Sequence, residues 1–203
     1  MAITIVPMTE ADMDGKGYVH HRSWQETYRG LIDDSYLDGM TLEKCVKIAH
    51  RWPDNILVAK DGERVVGFAG YGAYRDDSLT DTGEIYAIYL LSEYHGQNIG
   101  YALMNAAVEK LRDYPAVAVW VLKGNDRAIS FYERYGFVFD GTEADVMLGT
   151  PNKELRMILR KKKYKHRGNC FVRKSHGVFL FMTVTLYVPS YIYSAHAVIY
   201  NFL

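Results

Sequence analysis

Residues 84 to 104 read Glu84-Ile-Tyr-Ala-Ile-Tyr-Leu-Leu-Ser-Glu-Tyr-His-Gly-Gln-Asn-Ile-Gly-Tyr-Ala-Leu-Met104. The run from Glu84 to Leu91 is almost wholly apolar and rich in β-formers, as in a strand covered on both faces. A short polar loop with Gly96, Asn98 and Gly100 follows, and then Ile99, Leu103, Ala107 and Leu111 recur every four residues, the stripe of a helix laid on a sheet. Amides at such a helix start lack intrahelical acceptors and converge, and the macrodipole adds partial positive charge, so the turn is an anion cradle in prospect. No Gly-Lys-Ser/Thr follows, which excludes a Walker loop, and no Gly-x-Gly-x-x-Gly is present. Taken alone, such a turn is equally well a plain connector.

The flanking sequence builds a mixed α/β order around this unit. Residues 2 to 8 alternate as a strand, and Thr9 with Asp12 marks a helix start running to about Thr27. A second helix begins at the Thr41 cap and ends before Trp52-Pro53. Asn55 to Lys60 and Arg64 to Tyr74 form a hairpin about Asp61-Gly62-Glu63. Pro115 to Leu122 is a buried strand, and Asp126 to Tyr135 a helix with Gly136 at its αL cap. Phe137 to Asp140 and Glu154 to Arg160 are expected as two strands with a loop between them.

Charge divides the chain unevenly. Residues 1 to 160 hold 17 Lys+Arg and all 24 Asp+Glu, whereas residues 161 to 203 hold 7 basic and no acidic residues. The first 160 residues suit one domain with a sizeable core. Their acidity excludes nucleic acid as a partner. Cys45 and Cys170 make no disulfide framework and no Cys/His pair has zinc spacing, so no metal and a reducing, cytoplasmic setting are expected. The first residues lack a basic n-region and a long apolar run, so export is not expected. After a basic run from Lys161, Val178 to Leu203 is free of Asp, Glu, Lys and Arg. Its interrupting Thr, Pro, Ser, His and Asn residues argue against a membrane anchor; a partner-binding extension and an out-of-frame extension stay open.

Two motifs resemble one family. Gln97-x-x-Gly100-x-Ala102 is similar to the Gln/Arg-x-x-Gly-x-Gly/Ala signature of the GNAT superfamily of acetyl-CoA-dependent N-acetyltransferases. Asn125-x-x-Ala128-x-x-Phe131-Tyr132-x-x-x-Gly136-Phe137 resembles a second family pattern. The resemblance implies a single α/β domain over residues 1 to 160, with a mixed, mostly antiparallel sheet flanked by helices, and residues 161 to 203 as an appendage. It implies that the amides of Gln97, Asn98, Ile99, Gly100, Tyr101 and Ala102 hold the diphosphate of acetyl-CoA, the cosubstrate. By the same resemblance the backbone of Ile88, Tyr89 and Leu90 pairs with the pantetheine arm, Leu90 N–H faces the thioester carbonyl, Asn125 bonds the arm, and Tyr132 is the general acid for the thiolate. Asn98 stands where the family usually has Gly, and Asn tolerates the positive φ needed there.

A primary amine arrives protonated and needs a base. Glu84 acting through a water is the first candidate, with Asp81, Tyr86, His20 and His21 as alternatives. Trp24, Tyr28, Leu31 and Tyr36 are candidate walls of an acceptor pocket, and Asp33, Asp34 and Asp38 would favour a cationic amine, small or on a peptide. Cys45 lies outside both motifs, so transfer is expected to be direct. The alternative is a non-catalytic acyl-CoA sensor, which needs the cradle but neither Tyr132 nor a base. The oligomeric state stays open, a homodimer included.

Overall fold

Seven strands form one sheet in the order β1-β2-β3-β4-β5-β7-β6, seen in a computed structural model that describes residues 3–161. The strands are β1 Ile3–Pro7, β2 Ile56–Asp61, β3 Arg64–Ala73, β4 Thr82–Leu90, β5 Ala116–Leu122, β6 Val138–Leu148 and β7 Thr150–Arg160. The helices are α1 Met13–Tyr28, α2 Asp34–Gly39, α3 Leu42–Arg51, α4 Ile99–Lys110 and α5 Asp126–Tyr135. Only β4 and β5 pair in parallel, so the sheet is mixed and mostly antiparallel, as expected. The segment from residue 162 onward, with its tail readings, lies outside the described residues. Among those described, no helix is long and apolar enough to cross a membrane.

Local chemistry explains the ends of the elements. Thr9 N–H and its hydroxyl both donate to Asp12 Oδ2, at 2.9 and 2.7 Å, which fixes the entry to α1. Thr41 Oγ1 accepts from Lys44 N–H at the start of α3, and Gly136 closes α5 at φ +113. The β2–β3 hairpin turns at Gly62, with φ +59.

Two elements differ from the sequence reading. The short α2 was not expected, and it starts where Asp33 accepts from Tyr36 N–H at 2.8 Å. The expected loop between the last two strands is itself strand: β6 and β7 pair from Val138–Ile158 to Leu148–Thr150 about Gly149. A register shift between Phe139 and Glu143, where Gly141 has φ +90, breaks the alternation that would have shown one long strand.

The helices cover both faces. α1 lies on the face carrying Phe68, whose ring stands 5.9 Å from that of His20, and α4 lies on the face carrying Leu90 and Gly83. Leu103, Met104 and Ala107 of α4 are wholly buried in the main core with Val58, Val66 and Val117. A second cluster, Trp24, Leu37, Cys45, Ile48, Leu122 and Leu148, joins α1, α2 and α3 to the far strands. Helices α1 and α3 approach closely at Gly17, where an added Cβ would lie 2.6 Å from Val46 Cα.

Gly17→Ala is therefore expected to force the two helices apart and destabilise the fold by about 1–3 kcal/mol. Thermal melting checks it; an unchanged midpoint would show that the pair can separate without cost.

Candidate active site

The decisive feature is a failure of pairing. β4 and β5 are in register only at Thr82–Ala116, Gly83–Val117 and Glu84–Ala118, and beyond these three pairs the strands part. A cavity of about 380 Å³ opens between Ile85–Leu90 on one side and Trp120, Val121 and Asn125 on the other. Leu91 N–H donates to Val66 O at 2.9 Å, back toward β3. Alternation along an antiparallel ladder then turns the N–H groups of Leu90 and Ile88 to the opposite edge, into the gap. Next to it, the β3–β4 register shifts between Gly70 and Tyr71, which leaves Tyr86 as the extra residue of a bulge. Gly70 makes room for it: a Cβ there would lie 2.2 Å from the Tyr86 ring. The extra residue reverses side-chain parity, so Glu84 and Tyr89, an odd number apart, face the same side of the sheet.

One end of the gap is a cradle. Gly96 and Asn98 adopt φ +76 and +61, so the asparagine takes the left-handed conformation expected of it. The first bond within α4 runs from Ala102 N–H to Asn98 O at 3.0 Å, which leaves the preceding amides of that turn without a helical acceptor. Gly96, Asn98, Ile99, Gly100 and Tyr101 line the cavity, and so do the exposed Arg127 and Arg134 of α5, which are in no ion pair among the described residues. Gln97 turns its side chain back, Nε2 donating to Glu93 O at 3.1 Å. His95 Nε2 bonds Leu90 O at 2.9 Å and ties the loop to the strand end. The sequence reading missed both arginines, although their spacing on α5 places them one helical row apart.

The rest of the lining is polar and mostly buried. Tyr132 lines the cavity, buried against Phe131 and Phe137, and burial holds its phenol well above the ordinary range. Asn125 caps α5, its Oδ1 accepting from Ala128 N–H at 3.2 Å, which leaves its Nδ2 for the cavity it also lines. Tyr28 and Tyr89 hydroxyls meet at 3.4 Å, and Trp24 Nε1 donates to Tyr89 at 3.0 Å. Of the expected acceptor walls, Tyr28 lines the cavity, while Trp24 and Tyr36 pack in the second core cluster.

The candidate bases fare differently. Glu84 is completely buried, and Arg75 occupies both of its oxygens: the backbone N–H donates to Oε2 at 3.0 Å and the guanidinium to Oε1, while Arg75 also lies over Trp120. Glu84 does not line the cavity. His20 is buried among Trp24, Phe68 and Tyr89, and burial together with the Lys16 charge lowers its pKa to about 3, too weak a base at neutral pH. Asp81 is exposed, and burial raises the phenol of Tyr86, a cavity-lining residue, so that it stays protonated. Asp34 and Asp38 both pair with Arg29, so the acidic run there carries less free charge than its sequence suggests. Among the described residues no group of three or more His, Cys, Asp and Glu is placed to hold a metal ion.

A strand that parts from its neighbour beside an amide cradle defines an acetyltransferase-type cosubstrate slot. The family model described as Acetyltransferase (GNAT) family matches residues 17–137, and the chain belongs to that family. An uncharacterized N-acetyltransferase of Bacillus subtilis, YuaI, is 33% identical over 137 residues, covering 66% of this chain and 79% of that one. In fold, the chain is similar to the PaiA N-acetyltransferase of Thermoplasma acidophilum solved with coenzyme A, at a TM-score of 0.63 and 22% identity over 79% of this chain and all of that one. It is likewise similar to YncA of Salmonella typhimurium, solved with its cofactor acetyl-CoA, at a TM-score of 0.61 and 17% identity over 84% and 100% of the two chains. The protein is an acetyltransferase of the GNAT type.

Two predictions test this electrostatic picture. Arg75→Met leaves the Glu84 carboxylate buried without its partner and should destabilise the fold by about 3–5 kcal/mol, read by urea unfolding; a loss below about 1 kcal/mol would contradict a buried pair. His20 has a folded pKa below its unfolded one, so the unfolded chain takes up its proton first as pH falls. Stability from this group is complete above pH 6.5 and is lost toward pH 3, about 2 kcal/mol of it between pH 7 and 5. His20→Gln should lose that much less over the same interval.

Proposed function

We propose that the chain transfers the acetyl group of acetyl-CoA directly to a primary amine of a small molecule or a peptide. The observation that carries this reading is the slot: a strand edge with two N–H groups turned into the gap, a cradle of unpaired amides and a buried phenol, all lining one cavity. The residues fit the cosubstrate. The amides from Gln97 to Tyr101 would hold its diphosphate, Ala102 N–H being already bonded to Asn98 O contrary to the expectation from sequence, with Arg127 and Arg134 adding charge-assisted bonds to phosphate oxygens. Ile88, Tyr89 and Leu90 would pair with the pantetheine arm as if it were an added strand, and Asn125 would donate to it from across the gap. Leu90 N–H would stabilise the developing oxyanion, a task on which one donor is worth roughly 3 kcal/mol.

Tyr132 is proposed as the acid that protonates the departing thiolate. Burial widens its pKa gap from a thiol, but a thiolate expelled into the same apolar pocket is also poorly solvated and gains affinity for the proton. Glu84 is better suited to positioning than to proton transfer, since it anchors Arg75 against Trp120, a residue of the cavity wall. The PaiA and YncA structures lend the coenzyme reading support as fold neighbours solved with coenzyme A and acetyl-CoA.

The test is thiol release from acetyl-CoA across polyamines, amino acids, aminoglycosides and peptides. Turnover on at least one amine is expected; coenzyme binding without turnover on any would favour the sensor alternative. Tyr132→Phe should lower kcat by about 10² or more with little change in coenzyme affinity. Gly100→Ala is a separate check, because its Cβ would meet only ordinary contacts, 3.7 Å from the Phe131 ring. The variant should melt like the parent yet bind acetyl-CoA about tenfold or more weakly; undiminished affinity would move the diphosphate elsewhere.

A further inference from the structure

The acetyl-transfer reading lacks a proton acceptor for the amine, and the strands across the gap carry a candidate. β5 pairs β7 at Ala118–Ile158, Trp120–Arg156 and Leu122–Glu154, so Glu154 shares the face of Glu84, Trp120 and Leu122. Glu154, like Glu84, lies just outside the cavity lining, on the face where the cavity-lining Tyr28 and Tyr89 meet, and both phenols feel its charge. Glu154 is 8% exposed, and its Oε2 is buried without a hydrogen-bond partner. A buried carboxylate oxygen left unbonded is costly, and such groups persist where a site needs them.

We propose that Glu154 is the general base that deprotonates the acceptor amine. Two buried carboxylates lie on this face, and they are not equivalent: Arg75 takes both oxygens of Glu84 and makes no hydrogen bond to Glu154. The charged and titratable groups around Glu154 are Arg75 and Glu84, the Tyr28 and Tyr89 hydroxyls, and Arg156 two residues along, which is engaged by Asp140, Thr142 and Tyr74. Burial raises the Glu154 pKa, and the Glu84 charge adds to this against the pull of Arg75. A carboxylate raised toward the pKa of an ammonium is a better proton acceptor.

The step balances as follows. Glu154, directly or through one water, takes a proton from the ammonium. The free amine forms a C–N bond to the thioester carbon, the C–S bond breaks, and the thiolate takes the proton of Tyr132. Tyr132 recovers a proton from the acylated nitrogen, and Glu154 releases its own to solvent. A cationic amine is thereby the acceptor class, because the ionised Glu154 attracts the charge it then discharges.

This inference rests on the acetyl-transfer reading, and the experiment separates the two. Full-length protein and Glu154→Gln are compared for acetyl-CoA affinity by calorimetry and for kcat/KM toward a polyamine from pH 5.5 to 9.5. The Gln variant should bind acetyl-CoA within about twofold of the parent and lose on the order of 10²–10³ in kcat/KM at pH 7. The low-pH inflection that Glu154 gives the parent should be absent from the variant, whose residual rate should rise steadily with pH as the ammonium loses its proton, a change of profile no structural defect would produce. If the Gln variant loses coenzyme binding through misfolding, Glu154→Asp decides: a loss of tenfold or more in kcat with unchanged KM for acetyl-CoA is expected, and full activity overturns the assignment. Parental turnover with an unaffected Gln variant overturns Glu154 alone. A parent that acetylates no amine overturns the acetyl-transfer reading and this assignment with it.

Discussion

Two parallel strands that pair for three residues and then separate set the terms for the rest of the molecule. An interior strand normally satisfies both of its edges, and a sheet that abandons half of one edge leaves N–H and C=O groups in need of a partner. Here the loss is tolerated because each strand is secured on its other side. β4 stays paired with β3 from Gly67–Leu90 to Ala73–Gly83 across the bulge at Tyr86, and β5 with β7 along its whole length. The gap is thus held open between two paired half-sheets.

What holds the strands apart also chooses what faces the gap. The bulge at Tyr86 puts Glu84 and Tyr89 on one face, which thereby gathers a buried ion pair, two hydroxyls and Glu154. At the end of β4, the αL residue Asn98 ends the loop and begins α4 with its first amides unpaired.

The cradle was legible in the sequence because its determinants are local. Gln97, Asn98 and Gly100 sit within one turn, and the φ of Asn98 follows from residue chemistry. The four-residue apolar stripe announced α4, Gly136 marked the end of α5, and Gly62 the turn of the β2–β3 hairpin. Short α2 escaped notice because six residues carry too little periodicity, and β6 because its bulge reset the alternation. The surroundings of Glu84 turned on Arg75, nine residues away on the far side of a bend, and Glu154 joins the same face only through a register between strands more than thirty residues apart. Partners fixed by pairing between distant strands leave no trace in spacing, which is why a base chosen by sequence position alone met an arginine.

The most direct measurement is backbone amide hydrogen exchange, residue by residue, with and without acetyl-CoA. The account predicts that the amides of Ile88, Leu90 and the stretch from Gln97 to Tyr101 slow markedly on binding, while Leu91, already bonded to Val66, does not change. Binding that protects other amides and leaves these exchanging freely would contradict a cosubstrate that completes the parted sheet.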